Sequence, residues 1–322
     1  MKITTNRTLS ACLLLILVVV TTSVAEGPST KRINRAIELL EQGQPIYYTG
    51  SHSGTSGTYE QGVKDAQTFA DYISYDMEHA PFDVKGLADY MRGLAQGGPT
   101  KSGHRTPAVI VNVPVTGIDE ASVRANAWMF AQVLATGIHG LLLCHADSPA
   151  AVRAFIEAVR FPIHKEGVDQ GVNEGRRGVH GVPTAAAIWG VTQDEYLDKA
   201  DPWPLNPKGE LLLGVKLESP EGIANCEEIL AVPGLGFAEL GPGDLGLALG
   251  YLSVPRDPYP PEMKRARERV FAACRKNRVA FLETCSPDNI AAKLDEGVRV
   301  IAGHREETAR IGRAHQKRTM PI

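Results

Sequence analysis

A chain of 322 residues with 43% hydrophobic residues is long enough to build one large core, and one α/β barrel would use nearly all of it. Its formal net charge of −3 and the absence of any basic stripe exclude nucleic acid as an expected partner. No internal repeat or low-complexity segment argues for a solenoid or a disordered tail.

Residues 1–25 read as a secretory signal. Lys2 and Arg7 give a positive start, Leu13 to Val20 is unbroken apolar sequence, and Ser23-Val24-Ala25 resembles a small-residue cleavage site. The apolar run is short for a bilayer span, so no stable membrane insertion is expected after cleavage; an uncleaved N-terminal anchor is the alternative. Leu9-Ser10-Ala11-Cys12 mimics a lipoprotein box, but the apolar run follows that cysteine instead of preceding it, so a lipid anchor is rejected. The mature chain, residues 26–322, is therefore expected in the periplasm or outside the cell. Its cysteines, Cys144, Cys226, Cys274 and Cys285, show neither metal-type spacing nor a disulfide framework, and buried free thiols are the simpler expectation.

The mature chain alternates strand and helix. IYYTGS (46–51) is followed by a Gly-, Ser- and Thr-rich loop and a short helical stretch. FADYISYDM (69–77) leads through HAPFD into a helix around Gly86 to Gly93. TPAVIVNVP (106–114) precedes a helix over 119–135, and HGLLLCHA (139–146) precedes one that starts at Ser148-Pro149. LLLGVKLES (211–219) precedes a helix containing Ile223, Cys226, Ile229 and Leu230. GFAELG (236–241), VAFLET (279–284) and VRVIAGH (298–304) complete eight strands. Continuous apolar runs between amphipathic helices imply a parallel sheet buried on both faces, and eight such units favour a single-domain TIM (β/α)8 barrel over an open sheet. The exception is 160–210, rich in Gly, Pro, Arg and Trp and irregular in pattern, which suggests a lid or subunit contact; Trp189 and Trp203 within it read as packing or interface residues.

The chemistry-bearing residues sit where strands stop. Glu218 ends LLLGVKLE, Asp244 lies in AELGPGDLG, and Asp76, Glu78 and His79 end FADYISYDMEH. Active-site groups of a barrel project from the C-terminal strand ends, so two acids plus an acid–imidazole group there suggest a divalent-cation site beside a proton-transfer group. Cys144 and His145 end the fourth strand, but neighbours on a strand face opposite ways, which argues against a catalytic Cys–His pair. His304 ends the last strand and is a further pocket candidate.

DMEHAPFD, KLESPEGI and ELGPGDLGLALG, in that order, resemble the signature segments of the HpcH/HpaI aldolases, metal-dependent class II enzymes for 2-oxo acids with macrophomate synthase among their relatives. EYLDKAD (195–201) and RRGVHG (176–181) add weaker likeness, and the whole runs from about Ile33 to His304. The resemblance implies that Glu218 and Asp244 ligate Mg²⁺ or Mn²⁺, with Co²⁺ as a further choice, and that pyruvate chelates the same ion as its enolate forms. It implies that His79, with Asp76, shuttles the proton of the aldehyde-side hydroxyl, that Glu78 lies near the metal waters, and that Gly241, Pro242 and Gly243 let backbone N–H groups approach the substrate carboxylate. It further implies a homo-oligomer acting on a small 2-oxo acid.

Two positions depart from the family pattern. An arginine usually ends the third strand, where this chain has Asn112, and the position two before the metal glutamate is commonly glutamine, where this chain has Lys216. Residues two apart on a strand share a side, so Lys216 points into the barrel beneath Glu218, either in an ion pair with Glu218 or Asp244 or as a relocated positive charge for the substrate. The expected activity is cleavage of a 4-hydroxy-2-oxo acid to pyruvate and an aldehyde. Its rivals are a Schiff-base aldolase using Lys216, which flanking carboxylates disfavour by raising its pKa, an exported oxo-acid-binding protein without turnover, and, more distantly, an acyl-CoA lyase of the citrate-lyase kind.

Overall fold

In the computed structural model the described residues are Met1 and 31–50, 57–255, 258–302 and 305–321. The proposed signal, residues 51–56 of the Gly-rich loop, and His304 lie outside the described residues. The chain divides into two compact units, Met1–Lys31 and Arg32–Ile322, and the second is the barrel. No helix among the described residues is long and apolar enough to cross a membrane.

Eight parallel strands form the barrel: β1 (Ile46–Thr49), β2 (Tyr72–Asp76), β3 (Ala108–Thr116), β4 (Gly140–Cys144), β5 (Leu211–Leu217), β6 (Phe237–Leu240), β7 (Ala280–Thr284) and β8 (Val300–Ala302). Each pairs with its neighbours in sequence. β1 also pairs with β8 and β4 with β5, so the sheet closes on itself and leaves no edge. All eight expected strands are present, and the architecture is a TIM (β/α)8 barrel.

Period-two alternation sorts the strand residues into two cores. Ile46, Tyr48, Tyr72, Ile110, Leu142, Leu212, Phe237 and Leu282 fill the lumen, while Tyr47, Ile73, Val109, Val111, Leu141, Leu143, Leu213 and Val215 pack outward under the helices. That is why β4 and β5 read as nearly continuous apolar runs, with Lys216 the sole charged member: every one of their residues is buried, on one side or the other. Following the lumen parity toward the C-terminal ends, the filling turns polar at Ser74, Asp76, Asn112, Lys216 and Glu239. The apolar plug therefore ends in a polar floor beneath the mouth.

The helices depart from expectation in three places. The stretch 119–135 breaks at Asn126 into Glu120–Ala125 and Ala127–Leu134, because the Asn126 side chain turns back to donate to the Ser122 carbonyl at 2.8 Å. The segment after β5 breaks likewise at Asn225, whose side chain donates to the Asp147 carbonyl at 2.8 Å. Residues 160–210 are more regular than their composition suggests, with helices Val182–Trp189 and Gln193–Lys199, the second started by a Thr192/Glu195 capping box. Trp189 is a packing residue: its indole donates to the Gly137 carbonyl at 2.9 Å and its ring stacks on His139. Pro202–Trp203 forms a two-residue strand against Leu211 and Leu212, the first residues of β5. That end of the segment lies at the N-terminal rim, where it cannot serve as a lid over the C-terminal mouth. Elsewhere the start signals act as read, with the Ser148 hydroxyl accepting from the Ala150 N–H at the head of Pro149–Val159.

Candidate active site

Four strands deliver donors to the mouth. Asp76 is the last residue of β2 with Glu78 and His79 in the turn beyond it, His145 follows β4 directly, Glu218 follows β5 directly, and Asp244 lies in the first turn of the helix Pro242–Ala248 after β6. Ligand atoms of Glu78, His145, Glu218 and Asp244 all lie within 4.8 Å of one another, and those of Asp76, Glu78 and His79 form a second, overlapping set. The mouth thus gathers Asp76, Glu78, His79, Lys216, Glu218, Gly241 and Asp244.

Asp76 organises the turn. One carboxylate oxygen accepts the N–H groups of Glu78 (2.8 Å) and His79 (3.1 Å), and the other meets His79 Nδ1 at 3.0 Å. Asp76 is fully enclosed while the His79 side chain stays 41% exposed, so a fixed carboxylate orients a ring that can still reach solvent or ligand. An Nδ1 that donates to the Asp76 carboxylate leaves Nε2 as the acceptor of the ring.

Lys216 lies in the polar floor. Its ammonium donates to Glu78 Oε2 at 2.7 Å and sits 3.8 Å from Glu218 Oε2. Burial works against its charge, but Cys144, Glu239, Glu218 and Glu78 outweigh burial and hold its pKa above the ordinary lysine value. A lysine so held is a cation, which removes the free amine a Schiff base requires. Among the described residues its ion-pair partners are Glu78 and Glu218, and no salt bridge joins it to Asp244.

Glu218 is 2% exposed, and burial, with Glu78 and Glu239 adding negative charge, pushes its pKa up to about 8 against the opposing pull of Lys216 and the His145 N–H. For Glu78 burial also acts against the charge, but Lys216, the Cys144 thiol and His79 together hold its carboxyl below the ordinary value. Burial pushes the Cys144 thiol well up, so it remains a protonated donor rather than a nucleophile.

His145 is the residue that alternation alone discounts. It lies one step beyond β4, and its left-handed backbone (φ 48°) releases it from the strand's alternation. Its N–H donates to Glu218 Oε1 at 2.8 Å and its Nε2 is 3.8 Å from the same oxygen, which brings the imidazole to the carboxylates. The signal was present in the sequence: His145 stands one residue past its strand, as Glu218 does.

Gly241 is glycine because a Cβ there would run into the Glu218 side chain and the Lys216 stem, whereas a Cβ at Gly243 would meet nothing within 4 Å. Gly241, Pro242 and Gly243 therefore form a close wall on one side of Asp244 and open space on the other. Asn112 is paired in register with Asp76 but lies in the lumen, 4% exposed, with its Oδ1 accepting from Ser74 Oγ at 3.4 Å.

The HpcH/HpaI aldolase/citrate lyase model matches residues 61–303. A hydroxypyruvate/pyruvate aldolase from Roseobacter denitrificans is 28% identical over 270 residues, covering 84% of this chain and 90% of its own length. Among solved structures, an HpcH/HpaI aldolase/citrate lyase family protein from Burkholderia cenocepacia J2315 superposes with a TM-score of 0.64 at 24% identity, covering 88% of this chain and 96% of that one. Macrophomate synthase superposes at 0.57 and 20% identity, covering 84% and 82%. The likeness to the solved structures concerns the fold; the matched sequence model spans β2 to the end of β8 and includes every donor gathered at the mouth, and by it this chain belongs to the HpcH/HpaI aldolase/citrate lyase family.

Proposed function

We propose that this protein is a divalent-metal-dependent carbon–carbon lyase that splits a 4-hydroxy-2-oxo acid into pyruvate and an aldehyde. The observation that carries the reading is the set of three carboxylates and one imidazole within 4.8 Å, faced by one lysine and bordered by the Asp76–His79 pair. The donor set fits a cation. Negative charge outweighs the single ammonium, and a buried Glu218 driven up to about 8 is a carboxylate in want of positive charge. Glu218 and Asp244, with Glu78 and His145 within reach, would hold Mg²⁺, Mn²⁺ or Co²⁺; the imidazole nitrogen favours Mn²⁺ or Co²⁺ over Mg²⁺. When bound, such an ion supplies Lewis acidity to the 2-oxo group and its adjacent carboxylate.

The rest of the reaction belongs to the chain. His79 accepts the proton of the 4-hydroxyl through Nε2 as the C3–C4 bond breaks, and Asp76 stabilises the imidazolium through Nδ1. The electron pair of the broken bond stays with the pyruvate half, which regains a proton at C3 while the aldehyde leaves. Lys216 adds fixed positive charge under the developing anion. Gly241 and Gly243 keep side chains away from the substrate carboxylate, where N–H groups of the first turn of Pro242–Ala248 lack helical partners.

Export rests on residues 1–25, and homo-oligomer formation on the apolar residues Leu247, Leu252 and Val254 exposed beside the Asp244 helix. The test of the central reading is exchange of the C3 protons of pyruvate, followed by NMR in deuterated buffer after metal removal and after restoration with Mn²⁺. Exchange should vanish and return. Exchange that persists without metal, or a borohydride-stable pyruvate adduct on Lys216, overturns it; metal binding without exchange favours the non-catalytic oxo-acid binder.

A further inference from the structure

At the other end of β2 lies a second charged cluster that the reaction does not use. Asp71 immediately precedes β2 and is fully buried. Its Oδ1 accepts from Arg35 (2.8 Å), Arg313 (3.3 Å) and Arg318 (2.5 Å), and its Oδ2 accepts from Arg318 (2.7 Å) and the Tyr47 N–H (3.0 Å). Five donors saturate the two oxygens of one carboxylate. The side chains of Arg35 and Arg318 are each 1% exposed and that of Arg313 is 9% exposed.

Three guanidiniums against one carboxylate leave two positive charges under cover, and no second acid pairs with any of the three among the described residues. The donors are also in surplus. Arg35 Nε and Nη1, Arg313 Nε and Nη1, Arg318 Nε and the Tyr47 hydroxyl are all buried without a hydrogen-bond partner among the described residues. Uncompensated charge and unmade hydrogen bonds in a low-dielectric interior are each strongly unfavourable, and here they coincide and share one sign. Arg313 also lies over the Tyr47 ring at 5.1 Å, so the hydroxyl and the guanidiniums belong to one cluster.

We infer that Arg35, Arg313, Arg318 and Tyr47 form a buried binding site for a small inorganic anion of chloride size, which completes the charge balance at the base of the barrel. Only donors are left over, so the ligand accepts hydrogen bonds. The donors are sealed among side chains, so the ligand is small. The site joins the segments before β1 and β2 to the C-terminal helix Glu306–His315 and the residues after it, so the anion fastens the end of the chain to its beginning.

The test uses the whole mature chain. Chloride should replace gluconate at constant ionic strength in thermal unfolding, and the melting temperature should rise with chloride and then level off, by about 2–4 °C for a site of this kind. Arg318→Met should abolish the chloride response. A crystal of the unmodified protein soaked in bromide should give an anomalous peak within hydrogen-bond distance of Arg35, Arg313 and Arg318, a readout that does not depend on the variant folding. A melting temperature indifferent to chloride, a response undiminished in Arg318→Met, or bromide found on the surface alone overturns the inference.

Discussion

Strand β2 carries an aspartate at each end, and the two are used oppositely. Asp71 at the base meets three guanidiniums, while roughly 17 Å along the strand Asp76 belongs to a group of acids served by one lysine. At the base, cations exceed carboxylates and every carboxylate oxygen is occupied by fixed donors, so the arrangement ties segments together. At the mouth, carboxylates exceed cations, and burial raises the cost of that excess at Glu218. Such an excess is unfavourable on its own, and in the function proposed above a divalent cation offsets it. The sign of the imbalance sets the sign of the ligand each end would take.

The largest test of this contrast is Glu218→Gln. It should lower lyase activity by about three orders of magnitude and abolish Mn²⁺ binding in titration calorimetry, with Asp244→Asn behaving the same way. The metal-free Glu218→Gln protein should nevertheless melt no lower than wild type, because a buried carboxylate crowded by like charges has been neutralised. Wild-type Mn²⁺ affinity in either variant ends the site assignment. Asp71→Asn is the mirror experiment: it strands three buried guanidiniums and should cost about 3–5 kcal/mol in urea unfolding, with kcat unchanged below the transition. A stable Asp71→Asn protein would mean that the base is not held as described.

A third prediction concerns pH and lies in neither cluster. His139 is buried against Trp189, its Nδ1 accepts from the Val109 N–H at 3.2 Å, and burial, with His104 adding to it, lowers its pKa to about 3. Between the ordinary histidine value near 6.5 and about 3, the unfolded chain binds a proton that the folded chain refuses. The His139 contribution to stability should therefore fall as pH drops through that window, by up to ~1.4 kcal/mol per pH unit. The pKa of Asp71 is also depressed in the folded state, chiefly by Arg318, Arg35 and Arg313 working against burial. Its contribution is present above the ordinary carboxylate value and is lost only below it, whereas Glu218, raised from 4.5 to about 8, adds a term of opposite sign between those values, so the His139 term is isolated by comparing a variant with wild type. The urea midpoint of wild type minus that of His139→Asn, which keeps an acceptor for Val109, should fall steadily as pH drops from 7 to 4; parallel curves would reject the assignment.

The mouth was far more legible in the sequence than the base. Glu218 and Asp244 follow apolar runs by a residue or a short turn, and a barrel's chemistry collects at those ends, so local pattern and fold rule agree. Lys216 was found by strand parity, and parity failed at His145 only because a left-handed residue ends the strand's alternation. The base offered no such signal. Arg35, Asp71, Arg313 and Arg318 are scattered over the chain and ordinary in composition, and only closure of the barrel brings them together. The turn-back of Asn126 and Asn225 was equally invisible, since each break depends on a side chain bonding to a backbone carbonyl. The long helix Pro261–Asn277 shows the opposite case, with Met263, Ala266, Val270, Phe271 and Cys274 buried at helical spacing that the sequence displays openly.

Lys216 is where the comparison can be sharpened most finely, because among the described residues it is the one lysine or arginine paired with the acids of the mouth. If it merely balances Glu78 and Glu218, then Lys216→Gln deepens the carboxylate excess, strengthens the demand for a divalent ion and leaves turnover at saturating Mn²⁺ unaltered. If its ammonium also faces the charge that develops on the pyruvate half, removing it should cut turnover by about tenfold at saturating Mn²⁺, a loss of ~1.4 kcal/mol. The geometry favours the second outcome. At 3.8 Å the Glu218 contact is not a hydrogen bond, so among the described residues the Glu78 bond at 2.7 Å alone fixes the ammonium, and lysine has three protons to direct. The third-strand position gives no substitute cation: Asn112 is a neutral amide in the lumen, 4% exposed, its oxygen accepting from Ser74. Steady-state rates of Lys216→Gln and Lys216→Arg over a Mn²⁺ titration separate the two roles. Unchanged kcat in Lys216→Gln makes Lys216 a counter-ion, whereas a lowered kcat that Lys216→Arg partly restores makes it the charge under the reacting atoms.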